Sequence, residues 1–341
     1  MTDALRALRC MPKTELHVHL EGTVAPETLW ALAERRHVAL PAASLDDLRR
    51  AYDFSGFDDF IRLWTLMHRC LREASDFELM ADAYLDECHR RRIRYAEAHF
   101  TVHTHERFTI GARAALDAVT RRFEAAEAAG GPVVRLILDI NAQFLEDSGE
   151  FTVALLEREA HPLVAALGLG GPEVSRPRRL AAPYFERARR AGYACVAHAG
   201  ETYGAEHVRQ AVEDLGVARV QHGVRAVEDA AVVRLLAERR VCCDVALSSN
   251  RALKVTPDLA AHPLPALLRA GVPVTLSTDD PPFFATDLER EYEIAHRELG
   301  LSAAELWQVN LNGLRHGLAD VALRRRLMLE FEREGAALGL V

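Results

Sequence analysis

With 341 residues, 49% of them hydrophobic, the chain can bury a large core and is long enough for one α/β barrel or two ordinary domains. Its formal charge of −8, from 42 Lys and Arg against 50 Asp and Glu, comes with no basic stretch interleaved with aromatics, which argues against a nucleic-acid groove and for small-molecule chemistry. No run of about 18 apolar residues occurs, and Met1 to Lys13 lacks the apolar centre of a signal peptide, so no membrane span and a cytoplasmic protein are expected.

Eight short apolar runs follow one another: Leu16 to Leu20, Tyr95 to Phe100, Val133 to Ile140, Leu163 to Leu169, Ala194 to His198, Arg219 to His222, Val241 to Leu247 and Val274 to Ser277. Helical patterns rich in Ala, Leu, Arg and Glu separate them. Such alternation implies right-handed parallel crossovers, and eight of them predict an α/β fold closed into a (β/α)8 TIM-type barrel. No Pro/Gly/Ser-rich linker or internal repeat divides the sequence, so residues 1–341 read as a single barrel domain.

About 70 residues separate the first run from the second, far more than one helix needs. They carry helical patterns at Pro26 to Arg36, Leu45 to Tyr52 and Phe57 to Leu71, which predicts a helical insertion over about 24–92 placed as a lid above the barrel mouth. Pro26 marks a first helical turn, and Asp76 is expected to cap a helix from Phe77 to Arg91. The arginines at Arg90 to Arg92, Arg176 to Arg179 and Arg324 to Arg326 are expected on solvated faces. Six cysteines (Cys10, Cys70, Cys88, Cys195, Cys242, Cys243) without C-x-x-C spacing read as reduced thiols, not as a disulfide scaffold or a zinc site.

Polar residues collect where the runs end, and strand ends form the active face of a barrel. The first run carries His17 and His19, whose period-two spacing turns both imidazoles to one face of a strand. With 15 His in the chain about 0.7 H-x-H triplets arise by chance, and a second, His103-Thr104-His105, does occur. The first gains weight only from what lies downstream: His198-Ala199-Gly200-Glu201, Gln221-His222-Gly223 and Ser277-Thr278-Asp279-Asp280-Pro281. Singly, each has a structural reading: a helical i, i+3 pair for His198 and Glu201, a core imidazole for His222, a turn or cap for Asp279 and Asp280. Jointly, three histidines and a carboxylate make a first shell for Zn²⁺ with one position left to water, and Glu201, His222 and Asp280 remain for other roles. Such a set suits metal-assisted hydrolysis of a substrate that must also be protonated, as in deamination of a 6-aminopurine.

P-K-T-E-L-H-V-H-L-E-G-T, H-A-G-E, Q-H-G and S-T-D-D-P, in this order and spacing, resemble the adenosine deaminase family of zinc amidohydrolases from about Met11 to the helix after Asp280. The resemblance implies one Zn²⁺ per chain held by His17, His19, His198 and Asp279. It makes Glu201 the acid that protonates N1, with His222 orienting the hydroxide and Asp280 meeting N7. Gly171, in Gly168-Leu169-Gly170-Gly171-Pro172-Glu173, resembles the glycine whose N–H meets N3. Departures bear on the substrate. Adenosine deaminases proper tend to carry aspartate where Glu21 stands, and E-x-R-x-x-P where Glu97-Ala98-His99-Phe100-Thr101-Val102 stands. The L-E-G motif is similar to that of adenine deaminases and of the enzymes that deaminate 6-amino-6-deoxyfutalosine on a menaquinone route; the Gly-Gly-Pro-Glu loop looks more like a nucleoside enzyme than like the serine-bearing loop of the adenine enzymes, and Asp280-Pro281-Pro282-Phe283-Phe284 with Thr286-Asp287-Leu288 resembles the aminodeoxyfutalosine group. That nucleoside, altered at its 5′ end, is the expected substrate, with adenosine and then adenine as alternatives.

The expected partner is thus a small purine, with no nucleic acid or membrane, and a homo-oligomer is left open. His99, His103 and His105 are expected on a polar loop with no ligand role rather than around a second metal. A two-metal amidohydrolase bridged by a carboxylated lysine is disfavoured, since Lys13 and Lys254 are the only lysines and neither ends the fourth run. A silent barrel kept as a binding module would be expected to lose a ligand or the acid, and none is lost.

Overall fold

The computed structural model describes residues 3–53, 57–158, 161–174 and 176–341. Met1 and Thr2, and residues 54–56 of the predicted insertion, lie outside them. Each apolar run folds as a strand: β1 (Lys13–His19), β2 (Ile93–Phe100), β3 (Val133–Asn141), β4 (Val164–Gly170), β5 (Ala194–Ala199), β6 (Arg219–His222), β7 (Cys242–Val245) and β8 (Val274–Leu276). They are parallel and hydrogen-bond in sequence order. Both faces of each strand are covered, which is why the runs read as near-continuous apolar stretches.

One residue makes the closing rung. Val18 of β1 pairs with Asp279, whose N–H donates to the His17 carbonyl (3.0 Å) and whose carbonyl accepts from the His19 N–H (2.9 Å). The carboxylate of that residue is thereby delivered between the two histidines of β1.

Between β1 and β2 lie the helices Pro26–Arg36, Leu45–Ala51, Phe57–Cys70 and Ala74–Arg90. Pro26 occupies the first turn as expected. The fourth helix starts three residues earlier than the sequence suggests: Glu73 caps it, and Asp76 closes a capping box from inside. Asp76 Oδ2 accepts from the Arg72 and Glu73 N–H groups (2.9 Å each) while Arg36 Nε donates to the same carboxylate (2.8 Å), tying this helix to the first. Among the described residues no helix is long and apolar enough to cross a membrane. All six cysteines are free, and all but Cys10 are buried.

Below the strand ends, the barrel interior holds a charged layer. Arg219 on β6 donates to Glu97 on β2 (2.6 Å) and to Asp244 on β7 (2.9 Å), and all three side chains are fully buried. Thr275 and Gln221 also donate to Asp244. Removing the one cation would strand two buried carboxylates, which costs about 3–5 kcal/mol. Arg219→Met is therefore expected to lower the urea midpoint by that much stability; a midpoint equal to the parent's would show that this layer tolerates the uncompensated charge.

Candidate active site

Three imidazoles converge where β1 and β5 end. His17 Nε2 and His19 Nε2 each lie 3.1 Å from His198 Nε2. His17 Nδ1 faces the Asp244 carbonyl at 3.2 Å and His198 Nδ1 the Leu169 carbonyl at 3.0 Å. A carbonyl only accepts, so both Nδ1 atoms carry the proton and each ring, when neutral, presents a bare Nε2 lone pair; against burial, the Asp279 and Asp244 carboxylates push His17 up, an effect that a cation at Nε2 would oppose. Burial holds His198 well below the usual imidazole range and His19 at about 4, so neutral rings are the favoured state there. Lone pairs 3.1 Å apart repel unless a cation sits among them. Asp279 Oδ1 completes the group, 3.5 Å from His17 Nε2 and 3.4 Å from His19 Nε2, while Ser249 Oγ donates to its Oδ2 at 2.7 Å. Against the cost of burial, His17, His222 and His19 hold Asp279 well below the usual carboxylate range. A divalent ion fits this donor set, with nitrogen and oxygen ligands whose outer partners already fix their orientation.

Glu201 and His222 stand beside the group. Glu201 Oε1 and Asp279 Oδ2 each lie 3.8 Å from His222 Nε2, a fully buried atom with no hydrogen-bond partner. His222 and Asp279 both adopt left-handed backbone (φ 61° and 66°), which costs non-glycine residues about 1–3 kcal/mol and recurs at functional sites. Burial, then the Asp279 and Glu173 carboxylates, push Glu201 up to about 8. Burial, then Asp279, likewise hold Asp280 well above the carboxylate range. Both carboxyls are thereby shifted towards the protonated form. Gly22 leaves room for Asp280: a Cβ there would stand 1.7 Å from its Oδ1.

Glu21 lies in the short turn after β1. Its Oε1 accepts from the Thr101 N–H (2.9 Å) and from His105 Nε2 (3.0 Å), whereas Oε2 is buried without a partner. Burial pushes it up, but His105, His68 and the Thr101 N–H bring it down to about 2, so it is an anion. His68 bonds the Trp64 carbonyl through Nδ1 (2.8 Å), and its buried Nε2 has no partner either. Glu21, His68 and His105 each turn an atom to within 4.8 Å of the others. Gly171 sits on the turn after β4 with φ 86°, its carbonyl accepting from Arg178 Nη2 (3.1 Å).

The expected polar histidine loop does not exist. His99 ends β2, fully buried, and bonds Asp139 of β3 through Nδ1 (2.9 Å); His105 belongs to the Glu21 group; His103 packs against Phe151. The end of β2, buried on both faces, and the helix Val102–Phe108 separate them. Arg178 also departs from its expected solvated face, with its guanidinium buried beside Glu173. Several residues escaped the sequence reading. Glu173 accepts the backbone N–H groups of Gly200, Glu201, Thr202 and Tyr203 (2.6–3.0 Å) and so sets the loop that bears Glu201. Ser249, on the short helix after β7, and Asp139, on β3, act on candidate ligands, Asp139 Oδ2 lying 3.7 Å from His19 Nδ1. Glu173 stood inside a quoted motif, and the carboxylate in Gly-Pro-Glu was the available signal. A cleft of about 470 Å³ opens beside Glu201, lined by Thr202, Arg225, Glu228 and Lys254.

Comparison with known proteins agrees with this geometry. The family described as "Adenosine deaminase" matches residues 12–333. An aminodeoxyfutalosine deaminase from Streptomyces avermitilis is 36% identical over 329 residues, 96% of this chain and 92% of that protein. An adenine deaminase from Ralstonia nicotianae is 38% identical over 298 residues, 86% of each chain. A crystal structure of an adenine deaminase from Arthrobacter aurescens superposes with a TM-score of 0.89 at 32% identity, covering 95% of this chain and 99% of that one. Barrel, buried histidine and carboxylate cluster and sequence all agree: the chain is an enzyme of the adenosine deaminase family, hydrolases that act on C–N bonds of cyclic amidines.

Proposed function

We propose that the protein hydrolyses the exocyclic amine of a 6-aminopurine nucleoside altered at its 5′ end, 6-amino-6-deoxyfutalosine, to the 6-oxopurine nucleoside and ammonia, in the cytoplasm. The observation that carries the reaction is the placement of Glu201: its Oε1 lies 3.8 Å from His222 Nε2, which stands equally close to Asp279 of the histidine cluster, and burial with the neighbouring carboxylates pushes its carboxyl up. His17, His19, His198 and Asp279 would hold one Zn²⁺. When bound, such an ion brings the pKa of its water towards 7 and supplies the nucleophile for C6. Glu201 gives its proton to N1 as the C6 centre becomes tetrahedral. Asp280, protonated, donates to N7, the Gly171 N–H meets N3, and His222 orients the attacking oxygen. Transfer of the proton on the added oxygen to the exocyclic nitrogen lets the C6–N bond break, which releases ammonia and leaves the 6-oxopurine.

The substrate reading rests on the sugar end. Glu21 Oε2 and His68 Nε2 are two buried acceptors without a donor, and a ribose hydroxyl supplies one. Relatives named aminodeoxyfutalosine deaminase are 35–36% identical over 96% of the chain, a share that an adenine deaminase also reaches, and the Gly170-Gly171-Pro172-Glu173 loop looks more like that of a nucleoside enzyme. The helices Leu45–Ala51 and Phe57–Cys70, the latter bearing His68, then act as the lid of one catalytic barrel. A second reading, adenine, is favoured by the fact that the N9–H of the free base is also a donor for Glu21 Oε2; adenosine follows. The test is kcat/KM for 6-amino-6-deoxyfutalosine, adenosine, adenine and 9-methyladenine with zinc-quantified protein. A preference for adenine that 9-methylation abolishes would replace the first reading by the second. Glu21→Asp, one methylene shorter, is expected to shift preference towards unmodified adenosine by about tenfold, the effect of about 1.4 kcal/mol. An unchanged preference would remove Glu21 from the 5′ pocket.

A further inference from the structure

Four consecutive hydrogen bonding groups run from a backbone amide to His222. The Leu264 N–H donates to His262 Nδ1 at 3.1 Å, His262 Nε2 lies 3.1 Å from Asn250 Oδ1, and Asn250 Nδ2 lies 3.2 Å from His222 Nδ1. All three side chains are at least 95% buried. The polarity of this chain is not a matter of choice, because its first member can only donate. A backbone N–H facing His262 Nδ1 requires that nitrogen to be bare, which places the proton of the neutral ring on Nε2. That N–H can only be received by an oxygen, so Asn250 must turn Oδ1 to His262 and its amine to His222. Turning the amide over would set N–H against N–H on the His262 side. The amine of Asn250 in turn requires His222 Nδ1 to be bare.

We infer that Asn250 and His262 are positioning residues that fix His222 as its Nε2–H tautomer, so that His222 presents a hydrogen-bond donor, not a lone pair, to the space between Glu201 and Asp279. The neighbouring rings show the opposite arrangement. His17 and His198 face carbonyl oxygens through Nδ1 and so bare their Nε2 atoms, as ligands must; His222 faces an amine and keeps its Nε2–H. One cluster of histidines is thus sorted into ligands and a donor by the group behind each ring. It also explains why His222 Nε2, though buried, lacks a protein partner: its acceptor is the attacking oxygen. No electron pair or proton moves in this assignment, which concerns the resting orientation alone. It deepens the deamination reading by limiting His222 to donation.

The test reads the tautomer directly in the zinc-loaded full chain. Histidine ¹⁵N spectra, with His222 assigned by its loss in His222→Gln, should show a protonated Nε2 and a bare, hydrogen-bonded Nδ1. A protonated Nδ1 overturns the proposal. Asn250→Asp puts an acceptor behind the ring and should reverse the tautomer. It should also lower kcat about 10²-fold, as loss of a preorganised donor does, with KM within about threefold. His262→Gln can receive the Leu264 N–H through its oxygen and donate to Asn250 through its amine, so it should keep His222 Nε2–H and most of kcat. His262→Leu should lose at least about tenfold. Equal losses in the Gln and Leu variants would mean that His262 only fills space, and would also overturn the proposal. The tautomer needs no substrate: if His222 shows Nε2–H while no 6-aminopurine turns over, the relay stands and the reaction reading falls.

Discussion

Glu201→Gln is expected to lower kcat by about 10² to 10⁴, the contribution of a positioned general acid, while metal content and thermal stability stay at the parent level. The amide has the shape of the acid and can still donate a hydrogen bond to N1, but it cannot hand over a proton. Its backbone should not move, because the N–H groups of residues 200–203 are anchored on Glu173 and not on the Glu201 side chain. Burial and the Asp279 and Glu173 carboxylates put the Glu201 pKa at about 8, above the 4.5 of a free glutamate. The sign follows: the acid is competent below that value, so kcat falls as pH rises through it, and a bound cation would bring the fall to lower pH. The glutamine variant should lack this limb altogether. Near-parental turnover, or an unchanged alkaline limb, in a metal-replete Glu201→Gln protein would take the acid role away from this residue.

Most of the fold was legible because its signal is local. Each of the eight runs became a strand, since strands buried on both faces must be apolar throughout and are punctuated by the polar residues of the active rim. The candidate site was legible for a related reason: His17, His19, His198, Glu201, His222, Asp279 and Asp280 all lie at strand ends, where position along the chain predicts position in space. What was hidden needed tertiary information. Arg178 looked like part of a solvated arginine run, yet the chain folds it under the barrel rim beside Glu173. His99 and His105 looked like neighbours on a loop, but the turn from β2 into the helix Val102–Phe108 sends one to Asp139 and the other to Glu21. Ser249, Asn250 and His262 carry no motif that fixes their partners. Only the packing of the segment after β7 against β6 and β8 shows which ring or carboxylate each one holds.

The largest loss is expected from Asp279→Ala, which should release the metal rather than slow the chemistry. Among the described residues Asp279 is the carboxylate set against the Nε2 atoms of His17 and His19, with Oδ1 within 3.5 Å of both, so its removal deletes both a ligand and the negative charge that offsets the ion. Outer partners of metal ligands typically contribute 10- to 100-fold in affinity, roughly the loss to expect for Ser249→Ala, which removes the 2.7 Å hydrogen bond to Asp279 Oδ2. Deleting the ligand itself should exceed that range. Two features of the position separate this from simple unfolding. The barrel-closing bonds use the backbone N–H and carbonyl of residue 279, which alanine retains. The left-handed φ of 66° is harder for alanine than for aspartate or asparagine, so Asp279→Asn supplies the variant that keeps the backbone preference while losing the charge. Elemental analysis after dialysis against a chelator should find the order parent, then Ser249→Ala, then Asp279→Asn, then Asp279→Ala, with the last close to metal-free. One zinc per chain retained by Asp279→Ala would mean that the histidines hold the ion without this carboxylate, and the unpartnered Nε2 of His222 would then have to be reconsidered as a ligand.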